Sequence, residues 1–264
     1  MPRRFVDISV ALDPVLASDP PIMQPQVEYM DHQATADQIK SFFPGLEKDQ
    51  LPDGEGWAVE RLTVSSHNGT HLDAPYHHHS TMNRALKPGG EPASTIDEVP
   101  LEWCFAPGVK LDFRHMADGY VATAGDVEAE LKRIGHELAP LDIVLVNTAA
   151  GERYGHPDYV GRGCGLGREA TLYLLERGVR VTGTDAWSWD APFSATAARW
   201  AKEGDPSIIW EGHRASMEIG YCHMEKLANL DQLPGHGFLV SCFPYKIKKA
   251  SAGFTRAVAI FEDT

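Results

Sequence analysis

Three histidines and one aspartate stand at alternate positions in a short stretch: His67, His71, Asp73 and His77. Side chains of an extended chain alternate between faces, so all four are placed to converge on one side. Gly69 and Pro75 let the backbone bend around a bound ion instead of continuing as an ideal strand. Two imidazoles and a carboxylate are a borderline-hard ligand set suited to Zn or Mn, with positions left open for water and substrate. A polar loop with hydrogen-bonded histidines has the same spacing, and His78 and His79 belong to that plainer class.

The elements that must position this stretch read as mostly strands. Apolar and polar residues alternate over Phe5 to Val10, Val59 to Ser66, Val109 to Phe113, Ile143 to Asn147, Val179 to Thr184, Phe238 to Cys242 and Arg256 to Phe261. Helical spacing marks Asp126 to Leu138 and then Arg168 to Arg177, with Gly178 placed as a stop; a third helix is expected over Ala195 to Lys202. Residues 12–56 are rich in prolines, glycines and acids and predict a long irregular excursion that covers a site or a subunit interface. Residues 186–212 look like an insertion. With no repeat, linker or break in composition, residues 1–264 are read as one mixed α/β domain.

Composition removes several classes of function. A net charge of -13 opposes nucleic-acid binding, and the one basic cluster, Lys246, Lys248 and Lys249, is short. A small molecule is the expected partner. The start of the chain lacks an apolar stretch of signal-peptide length, and no run is long enough to span a membrane, so a cytoplasmic location without membrane contact is expected. Cys104, Cys164, Cys222 and Cys242 form no CxxC pair and are expected as reduced thiols.

The segment His67-Asn68-Gly69-Thr70-His71-Leu72-Asp73-Ala74-Pro75-Tyr76-His77 resembles HxGTHxDxPxH, the signature of the cyclase-like metal hydrolases, which include bacterial kynurenine formamidase and isatin hydrolase. The resemblance implies a compact β/β/α swivelling-domain fold, a homodimer or higher oligomer, and one or two divalent ions, Zn or Mn. It assigns metal binding to His67, His71 and Asp73 and general acid/base work to His77. The family pattern commonly has Phe next, where this chain has His78, a departure that touches the pocket lining. For a second metal the resemblance implies Asp73 as a bridge, with His213 and Glu225. Glu225 lies in Glu225-Lys226-Leu227-Ala228-Asn229-Leu230, which is similar to the family's E-x-L-x-N-L segment. His223 is read as an outer or structural residue. Gly183-Thr184-Asp185-Ala186-Trp187-Ser188 is similar to the family's G-x-D-x-x-S, with Asp185 either orienting a ligand imidazole or serving in a cap or a buried ion pair.

The remaining motifs are weaker. Gly161 to Gly167 lacks both the P-loop ending and the dinucleotide register, so it reads as a tight turn into a helix, and Cys164 within it as a buried thiol. Ser65, Ser66 and Thr70 lie beside histidines, but no G-x-S-x-G elbow supports a serine nucleophile. Trp187, Trp189, Phe193, Trp200 and Trp210 are dense enough to wall a planar substrate, with Trp187 and Trp189 as the binding candidates; core or interface packing is the alternative. The expected reaction adds metal-activated water to an amide-type carbonyl on an aromatic or cyclic frame, as in isatin or an arylformamide. Lactone or cyclic-imide hydrolysis, a lyase or cyclase reaction, and a non-catalytic metal-binding or ligand-binding scaffold are the alternatives.

Overall fold

Parallel strands buried on both faces read as unbroken apolar runs, and Ile143 to Val146, where alternation was expected, is such a run, each residue fully buried. It lies at the centre of a nine-stranded sheet in a computed structural model that describes residues 3–262. In chain order the sheet strands are β1 (Arg3–Asp7), β2 (His71–Asp73), β3 (Phe105–Asp112), β4 (Ile143–Asn147), β5 (Val181–Thr184), β6 (Cys222–Glu225), β7 (Phe238–Ser241), β8 (Ala252–Phe254) and β9 (Val258–Glu262). Their spatial order is β1-β9-β7-β3-β4-β5-β6-β2-β8. Strands β3 to β6 are parallel to one another. The strands on both flanks pair antiparallel. The mixed α/β, strand-rich fold expected from the sequence is therefore found, with β2, β6 and β8 added to the strands read from it.

The pleat divides the sheet's apolar residues between two cores. Ile143 and Leu145 join Leu72, Val181, Met224 and Phe238 on one side. Val144 and Val146 meet Val109, Leu111, Val127, Leu131 and Leu174 on the other, where the helices Ala124–Ile134 and Arg168–Glu176 cover the sheet. The first of these helices is closed by a capping box between Thr123 and Asp126 and ends at Gly135, in the left-handed conformation, before the Leu138 expected from its spacing. The glycine run before the second helix is not the tight turn expected: Gly165–Leu166 is extended and pairs parallel with Val121–Ala122, and a Cβ on Gly165 would lie 1.9 Å from the Ala191 backbone nitrogen.

Two further expectations need correction. Val59 to Ser66 does not enter the main sheet; Val59–Thr63 pairs only with Gln26–Met30, in a separate antiparallel ribbon with Tyr29 and Leu62 exposed. Its alternation is that of any two-sided ribbon and says nothing about which sheet it joins. The 12–56 excursion is correspondingly more ordered than its composition implies, since it holds that strand and the helix Ala36–Phe42. The 186–212 segment carries the helix Phe193–Glu203, which contains the expected Ala195 to Lys202. All four cysteines are free and buried, and burial pushes the Cys164 thiol up to about 12. No helix among the described residues is long and apolar enough to cross a membrane.

Candidate metal centre

The register between β2 and β6 builds the centre. His223 pairs with Asp73, Met224 with Leu72, and Glu225 with His71. Residues directly opposite in an antiparallel pair point to the same face, so His71, Asp73, His223 and Glu225 rise together on one side. Leu72 and Met224 go down into the apolar core. His71 Nε2 lies 3.3 Å from Asp73 Oδ1 and 3.6 Å from Glu225 Oε2. His223 Nε2 lies 3.3 Å from Glu225 Oε1.

Turns deliver the other imidazoles. His67 precedes a bend at Gly69, whose φ of 58° suits glycine, and its Nδ1 comes within 2.9 Å of Asp73 Oδ1. His77 sits in the helical turn Pro75–His78, its Nε2 3.9 Å from Asp73 Oδ2. His213 comes from the turn Glu211–Arg214, entered through left-handed Trp210, and its Nε2 is 3.6 Å from Glu225 Oε1. Two groups of potential ligands share Asp73: one with His67 and His77, the other with His213, His223 and Glu225, the ligand atoms of each within 4.8 Å of one another. The alternating spacing from 67 to 77 thus overstates the extended chain, because only His71 and Asp73 lie in a strand.

The polar atoms of the centre fit a cation. His71 Nε2, both oxygens of Asp73 and His213 Nε2 are buried without a hydrogen-bond partner, which is costly unless something else satisfies them. The opposite edges of the two rings are engaged. His71 Nδ1 is 2.9 Å from the Gly69 carbonyl oxygen and His213 Nδ1 is 2.5 Å from Asp190 Oδ2. Placing the ring proton on Nδ1 leaves each Nε2 lone pair aimed at the centre, the outer-partner arrangement common among metal-binding imidazoles. Burial opposes ionisation of Asp73, but His77, His71 and His67 hold its carboxyl well below the usual range. Burial likewise opposes ionisation of Glu225, and the neighbouring His213 and His223 imidazoles still hold it below its ordinary value. Burial would lower His213, yet Asp190 and Glu225 raise it to about 10.

A cavity of about 290 Å³ opens onto the centre, lined by Met23, His67, His77, Trp187, Ser188, Phe193, Trp210, Glu225 and Lys226. Trp210 stacks on His213 at 4.5 Å and meets His77 edge-on at 5.0 Å. Burial pushes His77 down to about 4 against the pull of Asp73, so its imidazole is neutral at neutral pH.

The sequence matches the family described as Putative cyclase over residues 6–191. The chain belongs to this cyclase family. It is 24% identical over 263 residues to a kynurenine formamidase of Erythrobacter litoralis (strain HTCC2594), covering 97% of this chain and 93% of that one. An isatin hydrolase bound to the product analogue thioisatinate superposes with a TM-score of 0.74 at 20% identity, covering 99% of this chain and 93% of its own. Isatin hydrolase A from Ralstonia solanacearum gives a TM-score of 0.74 at 23% identity, covering 98% and 92%. These two likenesses establish the shared fold.

Within this cyclase-family chain, several residues differ from their sequence reading. Trp189 does not reach the cavity: it is almost wholly buried behind His223, its indole N–H donating to Thr171 Oγ1 at 2.9 Å. Trp210 and Phe193 take the wall position beside Trp187. Asp185 orients no imidazole; it accepts from Thr148 N, Thr148 Oγ1 and Asn147 Nδ2, tying the ends of β4 and β5 together. Asp190 holds His213 instead, and no spacing rule pointed to it. His223, read as peripheral, stands among the potential ligands; its alternation with Glu225 was the available signal. His78 is buried outside the cavity lining, against Tyr221 and His213.

Proposed function

We propose that this chain is a metal-dependent hydrolase that adds water to an amide-type carbonyl of a small aromatic or cyclic substrate, of the isatin or arylformamide kind. The observation that carries the reading is the set of unpartnered buried atoms, His71 Nε2, His213 Nε2 and both Asp73 oxygens, packed against His67, His77 and Glu225, which line an aromatic cavity. His67, His71, Asp73, His213 and Glu225 would hold one or two ions, with His223 as a further ligand. Zn and Mn both suit imidazole and carboxylate donors. What a divalent cation supplies when bound is Lewis acidity, acidifying water and polarising a carbonyl.

The protein's own residues divide the remaining work. His77 faces the cavity, accepts the proton released from the attacking water and returns it to the departing nitrogen. Its low basicity keeps a lone pair available at neutral pH. Trp187, Trp210 and Phe193 fit a planar ring and hold its carbonyl over the centre. On the same reading the protein works in the cytoplasm as a homodimer, the exposed apolar residues of the Gln26–Met30 and Val59–Thr63 ribbon suiting an interface with a second copy.

The test is a metal-resolved screen: strip the protein, restore Zn or Mn separately, and assay isatin, N-formylkynurenine, cyclic imides and lactones for ring or amide opening. Turnover of isatin or N-formylkynurenine that returns with one metal supports the reading. Tight metal binding without turnover of any of these compounds would overturn it.

A further inference from the structure

Most of the 12–56 excursion is exposed, yet Asp19 within it is buried. Its Oδ1 accepts from the Lys226 ammonium and, at 3.0 Å, from the Trp187 indole N–H. Its Oδ2 accepts from the Asn68 amide at 3.1 Å and from the Ser18 hydroxyl at 3.4 Å. Lys226 follows Glu225, Asn68 follows His67, and Trp187 is itself cavity wall. One carboxylate on the excursion therefore ties together three pieces of the site.

The donors are tied in turn. Lys226 Nζ also donates to the His67 carbonyl at 2.8 Å, and Asn68 Nδ2 donates at 2.8 Å to the carbonyl of Met23, which lines the cavity. Lys226 holds a left-handed backbone, φ 57°, a conformation that is unfavourable for a residue with a Cβ. It is held there because its N–H donates to the Ala186 carbonyl and its own carbonyl accepts from Thr70 Oγ1. A buried ion pair is a poor source of stability compared with apolar packing, and fixing geometry is its better-attested use. Here the geometry fixed is that of the cavity.

We propose that Asp19 and Lys226 form a latch that makes the segment from Ser18 to Gln24 a fixed wall of the substrate cavity, so that both are positioning residues setting how tightly a planar substrate is held. Met23 and Trp187 cannot withdraw without separating a buried pair, so the wall is in place before substrate arrives. The substrate readout rests on the reading under Proposed function; the latch itself does not.

The experiment compares the metal-loaded wild type with Lys226→Met, Asp19→Asn and the double variant by hydrogen exchange read by mass spectrometry. Each single change should speed exchange in peptides covering residues 16–25 by on the order of 100-fold, leaving β4 peptides and metal content as in the wild type. The double variant, which buries no charge, should show less than the combined effect of the singles, and it replaces them if they do not fold. On whichever compound the wild type turns over, KM should rise about tenfold with kcat changed less. Wild-type exchange over 16–25 in the single variants, or acceleration spread evenly over the chain, overturns the latch. If the wild type turns nothing over, exchange alone still decides the latch, while the hydrolase reading fails separately.

Discussion

Replacing His78 with Phe should make the protein more stable. The imidazole is 4% exposed, and neither Nδ1 nor Nε2 has a hydrogen-bond partner. Burial and the neighbouring His213 keep the ring well below the ordinary histidine range, hence neutral, with one nitrogen as donor and the other as acceptor. Each buried group left unsatisfied costs about 1–3 kcal/mol, so the ring carries a penalty of roughly 2–6 kcal/mol. Its neighbours are rings: Tyr221 at 4.8 Å, His213 at 5.1 Å and His77 at 6.0 Å. A phenyl group keeps those contacts, and fitting its extra atom costs about 1–3 kcal/mol. Taking the middle of each range, about 4 kcal/mol relieved against about 2 kcal/mol spent, the net gain expected is about 2 kcal/mol, which for a chain of this size raises Tm by roughly 4–8 °C. Scanning calorimetry of both proteins at matched metal content measures it. A lower Tm at unchanged metal content would refute the reasoning, since it would mean that an imidazole nitrogen is satisfied by a bound water or ion.

Other expectations follow from the same geometry. Asp190→Asn removes the carboxylate that orients His213 and should weaken metal affinity by about 10–100-fold, measured by competition with a chelator. His223→Gln and Glu225→Ala should both lower metal content, because both residues belong to the group that shares Asp73; an unchanged metal content in His223→Gln would return His223 to a packing role. Burial raises Asp185 from 3.8 to about 7 against three donors. The sign is that of an acid whose folded pKa lies above its unfolded value, so the stability it lends below pH 3.8 is lost as pH rises through about 7. Urea midpoints should therefore show Asp185→Asn gaining on the wild type by up to about 4 kcal/mol across that window. Gly165→Ala should abolish soluble expression, since its Cβ would lie 1.9 Å from a backbone nitrogen that cannot yield.

The local features legible in the sequence are those that depend on neighbours along the chain. A strand at Ile143 to Val146 and a helix through Val127, Leu131 and Ile134 were legible there, although the strand was read as alternating and the helix as running past Gly135 to Leu138. The pairing of His67, His71, Asp73 and His77 within one short segment is of the same kind. Residues brought in from a distance were legible only through a family pattern, as His213 and Glu225 were, or not at all.

Tertiary structure decided the rest, because strand register and burial are properties of pairs and surroundings. No rule read along the chain states that His223 lies opposite Asp73, and that one register places four polar side chains on one face while Leu72 and Met224 enter the core. Nor does spacing show that Trp189 points into the core and Trp210 into the cavity, since both are aromatic residues in one irregular segment. Asp19 was one acid among many in a polar stretch. Its burial against Lys226, Trp187 and Asn68, drawn from distant parts of the chain, is what gives it a role.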